Sequence, residues 1–215
     1  MNWLYKIVNY NKINNQLASL RKQCEQYRNE ITTLTAQLKA YHKSIATHKP
    51  YTSKNTELLL LKEAHKLIKR VSNDYQIDAC LIEAISEHES SMRMFALRYE
   101  SHLKDNIYFR EHMDEHGKDP DLPWHSCSYG LMQILYWNMV AKLPASIKAL
   151  PAYELVGMPD LTLQLAVEHF KELLTKYRDI EEAVSAYNAG EPTHKNYKNY
   201  VKPIVDKYTE LKGYA

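Results

Sequence analysis

From Ile13 to Ile45 apolar side chains recur at alternating spacings of four and three: Ile13, Leu17, Leu20, Cys24, Tyr27, Ile31, Leu34, Leu38, Tyr41 and Ile45. A repeat close to 3.5 residues confines these side chains to one narrow seam on a single long helix, which suits a partner helix better than a globular core. An amphipathic helix folded back on its own domain is the alternative. The flanking positions are mostly Gln, Arg, Asn and Thr, so charge specifies neither the number nor the direction of the strands. The seam stops at "ATHKPYTSKNT", where Pro50 disfavours helical geometry at Lys49. The expected organisation is a heptad arm over 1–46, a linker over 47–56 and a folded domain over 57–215.

The two parts differ in charge. Residues 1–56 hold 9 Lys+Arg against 2 Asp+Glu, whereas 57–215 hold 19 against 24. A basic arm suits an anionic surface such as membrane, cell wall or nucleic acid, with a solvated basic helix as the plain alternative. No specific nucleic-acid partner is implied. Cys24, Cys80 and Cys127 lack paired spacing, which speaks against a disulfide framework or a cysteine zinc site and for reduced thiols. The N-terminal "MNWLYKIVNYNK" falls short of the roughly 18 apolar residues a spanning helix needs, and it lacks an export pattern.

Only five glycines occur among 215 residues, so the folded domain is expected to be mainly α. "ELLLLKEAHKLIKRVSNDY" reads as one helix. "IDACLIEAISEHES" reads as a second, with Asp78 as its N-cap and Leu81, Ile82, Ala84 and Ile85 facing the core. Further helices are expected around 132–142, 161–177, 179–188 and 196–211, and strand signals are weak. Glu89 thus closes an apolar helix, where desolvation disfavours its ionised form and fits it to act as an acid near neutral pH.

Three segments follow one another in a telling order: "HESSMRMFALRYE" at 88–100, "SYGLMQI" at 128–134 and "AVSAYNAG" at 183–190, with "NYVKPIVDKY" at 199–208. Together they resemble the catalytic domain of lytic transglycosylases of the soluble, goose-lysozyme-related type, over roughly residues 57–210. The "ALRYE" wording is most similar to members from bacteriophages and prophages. The resemblance implies a lysozyme-like domain that acts on peptidoglycan glycan strands and needs no cofactor.

It also implies roles. Glu89 protonates the oxygen between N-acetylmuramic acid and N-acetylglucosamine while the substrate's own N-acetyl carbonyl steadies the anomeric carbon. The ionised Glu89 then takes the proton of the 6-hydroxyl, leaving a 1,6-anhydro end. This is a substrate-assisted departure from the two-carboxylate rule. Ser90 permits close packing beside the acid, Gly130 lets the backbone turn near substrate, and Met132 and Gln133 line the cleft. Tyr187 lies close to the acid, and Asn188 binds sugar or orients the acid. Ser126 and Ser128 both match a serine that binds near the N-acetyl group, and the choice between them stays open.

Other carboxylates compete. Glu83 and Glu87 fall on different helical faces from Glu89. Glu100 and Asp121 are candidates for a second, water-positioning carboxylate that would make the chain a hydrolase. Residues 101–127 form an insertion relative to the simplest members of the family, and Tyr99, Trp124 and Tyr129 could stack on sugars. Within it "HMDEH", 112–116, spells the His-x-x-Glu-His of a zinc peptidase class. With no apolar helix around it and no third ligand, it reads as a solvated charged segment, and no metal is expected. The function expected is peptidoglycan lytic transglycosylase activity in a virion or other wall-opening assembly, held through 13–45 as a homo-oligomer or to a larger partner. Muramidase hydrolysis and a catalytically silent glycan-binding module are the alternatives.

Overall fold

The leucine-rich run after the linker builds the first helix of the domain, α1 (Lys54–Tyr75), which begins inside the stretch assigned to the linker. The computed structural model describes residues 54–213. The heptad arm and residues 47–53 lie outside the described residues. Along α1 the core face is Ala64, Ile68 and Val71, each almost fully buried, while Leu58 to Leu61 are exposed. No helix among the described residues is long and apolar enough to cross a membrane.

The second helix, α2 (Ala79–Ser90), starts at Asp78, whose carboxylate accepts the Cys80 backbone N–H at 3.0 Å, as its sequence suggests. Leu81, Ile82, Ala84 and Ile85 are all buried, so the face expected to enter the core does so. Burying side chains of this kind contributes about 1.5–3 kcal/mol each for the larger ones. Cys80 and Cys127 are free thiols.

Three short strands then form an antiparallel sheet in the order β1 (Leu97–Tyr99), β2 (Cys127–Tyr129), β3 (Ile134–Leu135). Leu97 pairs with Tyr129 and Ser128 with Leu135. Strands of two or three residues carry too little alternation to be read from sequence. Between β1 and β2 lies helix α3 (Ile107–Glu115), capped by the Asn106 side chain, which accepts from the Phe109 N–H. The helix expected over 132–142 is shorter. Its first residues complete the hairpin, and only α4 (Tyr136–Val140) is helical.

A short helix α5 (Ala145–Lys148) leads to α6 (Pro159–Tyr177) and α7 (Ile180–Ala189), close to the expected 161–177 and 179–188. The segment expected as one helix over 196–211 divides into a π-helical turn, Tyr197–Val201, and α8 (Lys202–Gly213). Helix α8 packs most extensively on α2. Two bonds pin it at the start of α2, where Asp78 accepts from the Tyr208 hydroxyl at 3.0 Å and from Lys212 Nζ at 2.9 Å.

Candidate active site

Helix α2 stops just after Glu89 because the next residues leave helical geometry abruptly. Ser91 and Met92 both have positive φ, 52° and 63°. Their N–H groups fold back onto the carbonyls of Glu87 and Ser86. Glycine usually fills such a left-handed cap, and a residue with a Cβ is strained there by roughly 1–2 kcal/mol. Strain of this kind collects where function over-determines the backbone.

Glu89 is thereby held in the last helical turn with only 8% of its side chain exposed. Burial raises its proton affinity above the ordinary carboxyl value, against the opposing pull of a hydrogen bond from Tyr200 and the charge of Arg98. The unsatisfied carbonyls of a helix C-terminus also disfavour a negative charge there. The Tyr200 hydroxyl donates to Glu89 Oε1 at 2.5 Å. Arg98 Nη2 stands 3.8 Å from Glu89 Oε2. Tyr200 is itself buried, and an edge-on contact with His88 at 5.0 Å holds its ring.

Tyr200 carries no role in the sequence reading, although it lies in the quoted "NYVKPIVDKY". The π turn explains why. Lys202 N–H reaches the carbonyl of Tyr197, five residues back, so helical spacing does not give the direction in which Tyr200 points.

The "GLMQ" residues form the loop of the β2–β3 hairpin. Gly130 has φ +72°, and a Cβ there would meet Thr162 Oγ1 at 2.6 Å, so the close approach this glycine allows is to α6. Gln133 also has positive φ, 49°, and its side-chain amide nitrogen donates to the Gly130 carbonyl at 2.9 Å. Met132 is 1% exposed, and its carbonyl accepts the Tyr187 hydroxyl at 3.0 Å. The expectation of a Met132 side chain lining the cleft is corrected here: the residue contributes packing and a backbone acceptor.

Ser90 packs beside the acid. It is 2% exposed, and its hydroxyl donates to the Ser86 carbonyl at 3.0 Å. The two candidate serines separate. Ser126 is buried and uses its carbonyl to accept the Glu100 N–H at 2.8 Å. Ser128 is buried too, but its hydroxyl lies 3.0 Å from Glu100 Oε1 and 3.1 Å from Gln133 Oε1.

Tyr187 packs edge-on against Phe170, and burial, reinforced by the charge of Glu89, keeps its phenol protonated. Its hydroxyl is spent on the Met132 carbonyl. Asn188 is exposed at the end of α7, where its side-chain oxygen accepts from Asn196 Nδ2 at 3.2 Å. Asn196 in turn bonds Ser185 through both ends of its amide, which fixes this edge of the site.

The competing carboxylates are engaged elsewhere. Glu83 faces His65 at 3.2 Å, Glu87 faces Lys207 at 3.3 Å, and Asp121 pairs with Arg110 at 2.8 Å on the insertion. Glu100 alone joins the acid's surroundings, and it accepts from Arg98 Nε at 2.6 Å. Among the described residues no group of three His, Cys, Asp or Glu could hold a metal ion. "HMDEH" is the end of α3 and its C-cap: Asp114 and Glu115 are exposed, while buried Phe109 and Met113 anchor the helix. His112 stacks on Trp137 and sets Nε2 3.2 Å from the Trp137 carbonyl, while His116 Nδ1 meets Lys148 Nζ at 3.3 Å. Of the three aromatic candidates for sugar stacking, Tyr99 and Trp124 are exposed. Tyr129 is fully buried and donates to the Trp124 carbonyl at 2.6 Å, so it belongs to the core.

Chemically, the arrangement offers one proton held in a poorly hydrated carboxyl, a phenol that can steady the carboxylate left behind, and a cation nearby. That suits general acid–base work on a bound ligand. No curated protein matches the chain. The family model described as Transglycosylase SLT domain matches residues 66–208, more than half of the chain and all of the elements around Glu89, so the chain belongs to that family.

Proposed function

We propose that the lytic transglycosylase activity on peptidoglycan that comes with this family is carried out here by Glu89 alone as proton donor and acceptor. The bond broken is the β-1,4 link between N-acetylmuramic acid and N-acetylglucosamine. Glu89 gives its proton to the glycosidic oxygen, which leaves as the 4-hydroxyl of N-acetylglucosamine while the neighbouring N-acetyl oxygen bonds to the anomeric carbon. The Glu89 carboxylate then takes the proton of the muramic acid 6-hydroxyl. The 6-oxygen closes on the anomeric carbon and displaces the acetamido oxygen, giving the 1,6-anhydro end.

The observation that carries this reading is the Glu89 carboxyl: shielded from water, raised in proton affinity, and bonded to Tyr200. A charge-assisted bond of this kind contributes about 1.5–3 kcal/mol and favours the ionised intermediate. Glu100 is the nearest rival base, yet Arg98 and Ser128 occupy its oxygen, which disfavours its activating a water for hydrolysis. The adjacent residues Gln133, Asn188 and exposed Tyr99 are the polar and aromatic groups for sugar.

Peptidoglycan zymography of the chain and of Glu89→Gln, followed by mass spectrometry of the released muropeptides, tests the assignment. The expected result is clearing by the parent only, with anhydro ends. Equal clearing by both proteins would refute the role of Glu89, and reducing ends would make the chain a hydrolase. We further propose that the heptad seam over 13–45 attaches the enzyme to itself or to a wall-opening assembly such as a phage virion. Light scattering before and after removal of residues 1–50 tests self-association, and an unchanged monomeric mass would exclude it.

A further inference from the structure

Arg98 on β1 is the acid's cationic neighbour, yet it is not bonded to the acid. Its Nε is committed to Glu100 at 2.6 Å, which leaves Nη2 3.8 Å from Glu89, beyond hydrogen-bonding range. Arg98 and Glu100 differ in freedom. Glu100 is 15% exposed and anchored by Ser128 and by its own N–H on Ser126, whereas the Arg98 side chain is 54% exposed. A fixed carboxylate therefore restrains a guanidinium that has room to move.

We infer that Arg98 and Glu100 are a positioning pair for Glu89: Glu100 holds the guanidinium at the edge of ion-pair distance, short of a hydrogen bond, while the acid keeps its proton, and the guanidinium closes on the carboxylate once that proton has gone to the glycan. The inference rests on the reading of Glu89 as the acid. It also resolves a conflict in that reading, because one carboxyl must first give up a proton and then take one back. A hydrogen-bonded ion pair at rest would ionise Glu89 before substrate arrives. With no cation within reach, the ionised form would be a buried charge served by one phenol.

The other groups around Glu89 are Tyr200 from the π turn, with His88 edge-on to its ring, and Tyr187 from α7, while His102 reaches Glu100 at 3.9 Å. Each tyrosine is fixed by its own hydrogen bond. Arg98 is the member with two carboxylate partners.

The test is the pH dependence of kcat/KM on soluble glycan strands, measured on the full chain for the parent, Glu100→Gln, Arg98→Met and the double variant. The limb that falls with rising pH reports loss of the acid's proton. Glu100→Gln removes a negative charge and frees Arg98, and both changes favour ionised Glu89, so this limb moves to lower pH. Arg98→Met moves it to higher pH, and the double variant falls between the two. Glu100→Gln is expected to lose about tenfold more rate above the parent's limb than below it. Uniform loss in both single variants, with the limb unmoved, would leave only a structural role and overturn the inference. Glu89→Gln in the same assay separates the two ideas. If it stays active, the acid assignment fails. If it is inactive while the limbs stay put, only the positioning pair fails.

Discussion

The end of α2 and the helix α3 carry the same raw materials, a histidine and a glutamate on short helical spacing, with opposite outcomes. At the end of α2 the carboxyl is shielded and raised in proton affinity, and its partners are a hydrogen-bonded phenol and a guanidinium 3.8 Å away. On α3 the imidazoles are consumed by a tryptophan carbonyl, a stacking ring and a lysine. Residue type therefore says little about reactivity. What separates the two regions is whether a titratable group is left with a proton to trade once packing is complete.

Five substitutions probe that contrast. The largest effect is expected from Glu89→Gln, which should cost at least about a hundredfold in cleavage rate, since positioned acid–base groups contribute roughly 10²–10⁴-fold. The same variant should be more stable than the parent at neutral pH. Glu89 holds its proton in the fold above the pH at which an unfolded chain loses it, so stability falls as pH climbs between those two values. Glutamine removes that loss, and urea melts at low and neutral pH would reveal a gap that closes on acidification. A parent and variant of equal stability throughout would mean that the carboxyl is well hydrated, and the contrast with α3 would break.

Next comes Gly130→Ala. Its Cβ would press on Thr162 Oγ1 from a left-handed backbone, and a loss of about 1–3 kcal/mol is expected in denaturant unfolding. Tyr200→Phe should follow, with roughly a tenfold fall in rate. The lost hydrogen bond favours ionised Glu89, so its removal raises the acid's proton affinity and shifts the falling limb of the pH profile upward. The smallest effects belong to His112→Ala and His116→Ala, which should hold activity within about twofold while losing on the order of 1 kcal/mol of stacking and packing. A chelator-sensitive enzyme, or activity abolished by either substitution, would place α3 in the chemistry after all.

Much of this architecture can be read in the sequence because it follows from periodicity and capping. The buried face of α2, its Asp78 cap and the succession of α6 and α7 all come from apolar spacing and turn residues. The sheet does not, because strands as short as Ile134–Leu135 have no alternation to display. The site divides along similar lines. Glu89 stands out because an acid closing an apolar helix is unusual. The corrections at Met132 and Tyr129 concern which way a side chain faces, and that depends on contacts with α6, α7 and the insertion that no local pattern encodes. "HMDEH" is harder to read for the converse reason: its own Met113 and the preceding Phe109 reach the core through a helix of only nine residues.

The wide turn at Tyr197–Val201 makes the site a matter of chain length as much as of composition. Shortening it by one residue would rotate what precedes α8 by about 100°. The helices could still pack, and every residue type now credited with chemistry could remain, yet the phenol would leave the acid. Single-residue gaps at this turn are thus where an enzyme and an inert glycan-binding descendant of the same fold would part company.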